Sequence, residues 1–291
     1  MTSDFPYIAH FPGFRDRPFT LLPDPDFLYL SQQHKRALSV LQYGIFSRAP
    51  VTLLTGEIGA GKTTVLQALM RELSDDLRVG LISNVQGGRG ELLQWILHAF
   101  DCPIPEQAGY VQLFKMLQDF LIDEYSRGHR VVLMVDEAQN LSAEGLEEIR
   151  MLTNINANKD EVIQLILVGQ PELRDIVSRP DMRQLAQRIT ASYHLRVMKP
   201  EEAVTYVRHR LQVAGGTGDE ISPEAVLKIY TAARGVPRLI NQICEIALIY
   251  TWSQDAPQVT EAIVEEVFDD QIVFAVQYDK TDPVSEQEMP S

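Results

Sequence analysis

Gly56-Glu57-Ile58-Gly59-Ala60-Gly61-Lys62-Thr63 decides how this chain folds. The stretch follows the apolar run Val51-Thr52-Leu53-Leu54-Thr55 and opens the helix-like segment Thr63 to Leu73. Strand, glycine-rich turn and helix therefore follow one another in the order of a phosphate-binding loop. In such a loop the backbone N–H groups surround an anion, and the partial positive charge of the helix N-terminus favours it further. Gly56, Gly59 and Gly61 supply the unusual backbone angles, while Glu57, Ile58 and Ala60 lend their main chain. Lys62 is expected to reach the β- and γ-phosphates of a nucleoside triphosphate. The Thr63 hydroxyl is expected to hold Mg²⁺, and Thr64 to bond the α-phosphate.

Downstream, short apolar runs alternate with helical periods. Val79–Ser83 precedes helices at Glu91–Phe100 and Val111–Tyr125, and Val131–Val135 precedes Ala143–Asn154. Val162–Val168 precedes Glu172–Val177 and Met182–Gln187, and Ser192–Leu195 closes the series. This alternation predicts an α/β fold, a phosphate-loop αβα core with a parallel sheet covered by helices, spanning residues 48–197. After Met198-Lys199-Pro200 only helical periods follow, at Glu201–Val213, Pro223–Ala233, Pro237–Thr251 and Thr260–Phe268. They predict a small all-helical domain over 198–270, and the acidic, polar stretch 271–291 reads as a partly mobile tail.

Residues 1–47 read differently. Prolines at 12, 18, 23 and 25 interrupt regular structure, yet Phe14, Phe19, Phe27 and Tyr29 carry too much apolar surface for a solvated linker. An arm packed on the core is expected, followed by a first helix capped by Ser31 and running through Phe46.

A second chemical signal sits at the end of Val131-Val132-Leu133-Met134-Val135, where Asp136 and Glu137 follow an apolar strand. Beside a phosphate loop, this pairing suits metal binding by Asp136 and polarisation of a water by Glu137. The remaining polar residues point to less. His34, His98, His129, His194 and His209 show no ligand spacing and read as structural or surface groups. Trp95 and Trp252 lie in amphipathic stretches, where packing is expected. Cys102 and Cys244, the only cysteines, stand apart in apolar surroundings and read as reduced, buried thiols.

Composition sets outer limits. With 40 acidic against 26 basic side chains, the formal net charge of -14 opposes sequence-independent attraction to DNA or anionic lipid. No apolar run approaches the roughly 20 residues that span a bilayer, and the N-terminus lacks a secretion signal, so a cytoplasmic protein without direct membrane insertion is expected.

Taken together, Gly56–Thr63, Asp136-Glu137-Ala138-Gln139-Asn140-Leu141, Ile149–Asn154, Val168-Gly169-Gln170-Pro171-Glu172-Leu173 and Gly235-Val236-Pro237-Arg238 resemble the AAA+ ATPases of the ExeA type. The arm from Pro18 to Ser31 matches that type as well. The resemblance implies ATP and Mg²⁺ as cofactors, a helical lid over the core, and a site completed by a neighbouring subunit of a homo-oligomer formed on ATP binding. It casts Gln170 as the sensor near the γ-phosphate, although Asn, Ser or Thr is commoner there, and Arg238 as the second sensor. For the arginine finger it offers Arg188, with Arg183 as substitute. Functionally, the resemblance implies an ATP-hydrolysing switch or motor for assembly of an envelope machine, in type II secretion, pilus or exopolysaccharide systems. Because the chain ends at Ser291 without the transmembrane helix and peptidoglycan-binding region of such proteins, a membrane-protein partner at the inner membrane is expected. The alternative is a DNA-associated regulator similar to transposition ATPase subunits; the acidic balance makes nucleic acid the less favoured partner.

Overall fold

The computed structural model describes residues 6–20, 25–74, 76–83, 90–157 and 160–273. These fall into two compact units, Leu30 to Arg196 forming one, and the residues up to Tyr29 joining those from Val197 onward in the other.

The first unit runs α1 (Gln32–Phe46), β1 (Val51–Gly56), α2 (Lys62–Glu72), β2 (Leu77–Ser83), α3 (Glu91–Ala99), α4 (Tyr110–Ser126), β3 (Arg130–Asp136) and α5 (Ala143–Leu152). It continues with β4 (Asn156–Ala157), β5 (Asp160–Glu161), β6 (Ile163–Gly169), α6 (Pro171–Val177), α7 (Arg183–Ala186) and β7 (Ile189–Leu195). The five long strands form a parallel sheet in the order β2-β3-β6-β1-β7. Its three inner strands are apolar on both faces, as expected where helices cover each side. Val51, Leu53, Val131, Leu133, Ile163 and Leu165 share one core with Leu93, Ile96, Leu117 and Ile149. The alternate residues Leu54, Val132, Met134 and Ile166 are equally buried, and α1 and α2 both contact β1. Register sets up the site: Thr55 pairs with Gly169 and Val135 with Leu167, so β1, β3 and β6 end along one rim.

The second unit holds α8 (Pro200–Val213), α9 (Pro223–Ala233), α10 (Pro237–Ser253) and α11 (Glu261–Asp269). Proline occupies the first helical position in α8, α9 and α10, where its missing N–H removes no helical bond. The arm belongs to this unit, so the expected 1–47 segment divides: its aromatic part joins the helices, and α1 alone joins the core. The reason is a set of partners on α8 and α10. Tyr7, Phe11 and Phe19 enter the core formed by Tyr206, Val207, Ile240 and Cys244. Arg210 donates to the Pro18 carbonyl at 2.5 Å and lies over the rings of Phe19 and Phe27. Arg17 and Tyr7 both bond Glu245 at 2.7 Å. Two short 3₁₀ turns, Pro6–His10 and Pro25–Phe27, appear where only irregular chain was expected.

Other departures are local. The expected helix over Met182–Gln187 is a 3₁₀ turn, Pro180–Met182, followed by the short α7, and β4 with β5 forms an antiparallel pair that no sequence signal announced. Trp95 and Trp252 are 51% and 40% exposed, and Cys102 is only partly buried, so packing does not account for either tryptophan as expected. Of the tail, 274–291 lies outside the described residues.

Candidate active site

The phosphate loop leaves β1 at Gly56 and enters α2 at Lys62. Its final residue, Gly61, caps α2 at φ 96° and offers no side chain to the first N–H groups of the helix. Those donors are thus available to an anion. Gly61 is also a point of close approach: a Cβ there would lie 2.4 Å from Nε2 of His34. His34 is buried in the first turn of α1, with Nδ1 2.8 Å from the Ser31 hydroxyl and Nε2 3.0 Å from the Ala60 carbonyl. One tautomer satisfies both contacts: Ser31 donates to Nδ1, and Nε2–H donates to Ala60. His34 is therefore a structural group, as its sequence suggested, and what it supports is the loop.

Lys62 is 5% exposed, and its ammonium donates to the carbonyls of Gly56 at 2.8 Å and Glu57 at 3.0 Å. Burial lowers its pKa, against the opposing pull of Glu137, Asp136, Glu57 and Glu172. A buried cation held only by neutral carbonyls fits an anionic ligand. Thr63 is exposed and Thr64 half-buried in the same turn, while Ile58 at the loop tip is 61% exposed.

Asp136 ends β3 and is buried. One carboxylate oxygen accepts the Glu137 N–H at 2.9 Å, and the other accepts the Thr63 hydroxyl at 3.1 Å. Burial raises its pKa, opposed by these two hydrogen bonds. The paired hydroxyl and carboxylate are hard oxygen donors and suit Mg²⁺ that shares its other ligands with phosphate.

The next residue turns sharply. Glu137 adopts φ 55°, ψ 38°, a left-handed conformation uncommon outside glycine, and starts the 3₁₀ turn Ala138–Asn140. The turn brings its carboxylate to the end of β6, and Oε2 accepts the side-chain amide of Gln170, the residue after the strand, at 3.2 Å and that of Gln139 in the turn itself at 2.5 Å. Lys62, Thr63, Asp136, Glu137 and Gln170 are thus gathered along the rim. Gln139 is a member that sequence reasoning passed over, because an amide two residues beyond a carboxylate turns back on it only when the backbone reverses there.

The arginines separate. Arg188 is half-buried and donates to the Thr153 carbonyl at 2.8 Å and to Asn154 Oδ1, tying down the C-terminal end of α5 in its own chain. Arg183 is exposed and makes no side-chain hydrogen bond or ion pair among the described residues. Arg238 belongs to the helical unit, exposed in the first turn of α10.

A family model described as an AAA domain matches residues 45–177. General secretion pathway protein A of Aeromonas hydrophila is 39% identical over 251 residues, a match covering 86% of this chain and 46% of that protein. Over the matched region the chain is similar to AAA domains, and it resembles the AAA+ ATPases of the ExeA type. It spans about half the length of this ExeA-type relative. Solved structures share the AAA+ fold at low identity. The ORC2 protein of Aeropyrum pernix, described in ADPNP and ADP complexes, has a TM-score of 0.67 at 18% identity, covering 89% of this chain and 72% of that one. Cdc6p from Pyrobaculum aerophilum gives 0.66 at 16%, with 86% and 71% covered. The RuvB Holliday junction branch migration motor of Thermotoga maritima gives 0.54 at 16%, with 84% and 73% covered.

Proposed function

We propose that this chain binds ATP with Mg²⁺ and hydrolyses its terminal phosphoanhydride. The observation that carries the reading is the convergence on one rim of a buried ammonium, a hydroxyl–carboxylate pair and a second carboxylate held by the amide of Gln170, directly after β6. Lys62 exchanges its two carbonyl contacts for phosphate oxygens. Thr63 and Asp136 hold the metal, which neutralises charge on the phosphates when bound. Glu137 orients a water and draws on its proton as the oxygen bonds phosphorus, and the bond to the departing diphosphate breaks. Gln170 shares Glu137's carboxylate and so couples the state of the phosphate to the water-activating group. Arg238 is proposed as the second sensor on the strength of the family resemblance. Of the two finger candidates, Arg183 has the better claim, because Arg188 is already engaged with α5 of its own chain. A finger supplied in trans raises phosphoryl-transfer rates by about 10³ to 10⁵, which makes assembly of a homo-oligomer the switch for turnover.

For the biological role, the name of the 39%-identical relative favours work in a secretion or related envelope system, peripheral to the inner membrane through a membrane-protein partner. No described helix is long and apolar enough to cross a membrane. A DNA-associated role is the second reading, favoured by structural neighbours described as bound to DNA and opposed by the net charge of -14. The test of the site is a pair of substitutions. Lys62→Ala is expected to abolish ATP binding, and Glu137→Gln to retain it; ATP binding by Lys62→Ala at wild-type affinity would refute the assignment of the loop.

A further inference from the structure

Gln139 ties together two groups to which the proposed reaction assigns roles. Its amide nitrogen donates to Glu137 Oε2 at 2.5 Å, and its carbonyl oxygen accepts the backbone N–H of Gln170 at 3.0 Å. The orientation of that amide is fixed by its partners: a backbone N–H can only donate, so the oxygen must face Gln170, which leaves NH₂ for the carboxylate. Gln170 then closes the triangle with its own side chain on the same Oε2 at 3.2 Å.

Space for this arrangement comes from β6. A Cβ on Gly169 would lie 2.6 Å from Gln139 Oε1 and 2.8 Å from Leu173 Cδ2, so the slot exists because residue 169 has no side chain. The carboxylate itself is carried on a backbone in the left-handed region at φ 55°. A side chain projecting from such a turn is oriented by whatever bonds it, and here both protein donors on Oε2 are glutamine amides.

We propose that Gln139 is the positioning residue for hydrolysis: it sets the direction of the Glu137 carboxylate and locks it to the Gln170 backbone, so that strand β6 and the water-activating group move as one. The inference rests on the reading of Glu137 given above. Gln139 contacts neither phosphate nor metal in this role, and its loss should appear in turnover and leave nucleotide affinity intact.

A variant that keeps the bulk and removes the bonds separates the two contributions of the side chain. Gln139→Met is similar in length and can neither donate to Glu137 nor accept from the Gln170 backbone N–H.

The experiment measures ATP turnover and equilibrium nucleotide binding for the full chain and for Gln139→Ala, Gln139→Met, Glu137→Gln and the Glu137→Gln/Gln139→Ala double variant. Gln139→Ala is expected to lower kcat by about a hundredfold, the usual scale for a misaligned catalytic group, with nucleotide Kd within about threefold of wild type. The double variant should be no slower than Glu137→Gln, because a residue acting through Glu137 has nothing left to position. Gln139→Met should lose turnover to about the same extent as Gln139→Ala, with nucleotide Kd again within about threefold of wild type, a split that lost packing does not produce. Wild-type kcat in Gln139→Ala or Gln139→Met, or a further loss in the double variant, would overturn the proposal. If Gln139→Ala does not fold, Gln139→Met decides through the same split between kcat and Kd. Full turnover by Glu137→Gln overturns the reading of Glu137 and the inference with it, whereas an inactive Glu137→Gln beside a fully active Gln139→Ala removes the inference only.

Discussion

The contact between Gly61 and His34 yields a prediction whose size follows from the structure. In Gly61→Ala the new methyl carbon meets two obstacles: a backbone at φ 96°, and the His34 Nε2 at 2.4 Å. Left-handed geometry costs an L-residue roughly 1–2 kcal/mol. Moving the imidazole aside forfeits its hydrogen bonds to Ser31 and Ala60, each contributing about 0.5–1.5 kcal/mol. The variant should therefore lose roughly 2–5 kcal/mol, and each kcal/mol lowers Tm by roughly 2–4 °C in a domain of this size. Denaturant titration and thermal unfolding measure the loss, and binding of a fluorescent ATP analogue reports on the loop. The discriminating step is to add His34→Ala. With the ring removed, the backbone strain remains and the collision disappears, so the double variant should be more stable than the sum of the single losses predicts, by at least about 1 kcal/mol. Simple additivity would show that His34 does not press on Gly61, and the account of a buttressed loop would fail.

Further predictions concern charge and assembly. Burial holds the Asp136 carboxyl above its ordinary pKa, so the folded chain favours its protonated form; the associated stability is full below about pH 4 and lost as pH rises through the raised value. Asp136→Asn should accordingly stabilise the nucleotide-free chain at pH 7 by on the order of 1 kcal/mol, with the difference fading toward pH 4, and should lose the further stabilisation that Mg²⁺ with nucleotide gives wild type; thermal unfolding across pH checks both. Arg188→Ala should cost roughly 1–3 kcal/mol of stability through its lost bonds to Thr153 and Asn154, while the exposed Arg183→Ala should stay within about 0.5 kcal/mol of wild type and lose turnover. Mixing Arg183→Ala with Glu137→Gln subunits should restore activity, because one partner offers an intact site and the other an intact finger; no recovery at any ratio would count against Arg183 in trans. Duplex DNA should bind weakly or not at all near physiological salt, given 40 acidic and 26 basic side chains. Fluorescence anisotropy with an ATP analogue present checks this, and sub-micromolar, steeply salt-dependent affinity would favour the DNA-associated reading.

The sheet and the loop were legible because their signals are local. Apolar runs such as Val131–Val135 specify buried strands, and the spacing from Gly56 to Thr63 specifies the turn between strand and helix. Less visible was any feature that depends on which surface a residue meets. The aromatic arm announced that it must pack, and nothing in its own sequence named Arg210 and Glu245 as the partners. The exposed Trp95 shows the converse: helical periodicity places a ring on a helix and leaves open whether anything covers it. Gln139 was hidden for another reason, since its contact with Glu137 depends on the positive φ of that residue, which sequence pattern does not reveal. Arg188 likewise read as a candidate arginine finger before a strand, and the end of α5, more than thirty residues away, engages it.

The central claim is that Glu137 activates water beside a phosphate loop built on Lys62. It is tested most directly by phosphate release from the purified chain with ATP and Mg²⁺, measured beside Glu137→Gln at concentrations where both bind ATP. The account predicts steady turnover by wild type, and a loss of about 10²–10⁴ in Glu137→Gln with ATP affinity retained. Equal turnover by the two proteins, or none by wild type under assembled conditions, would contradict it.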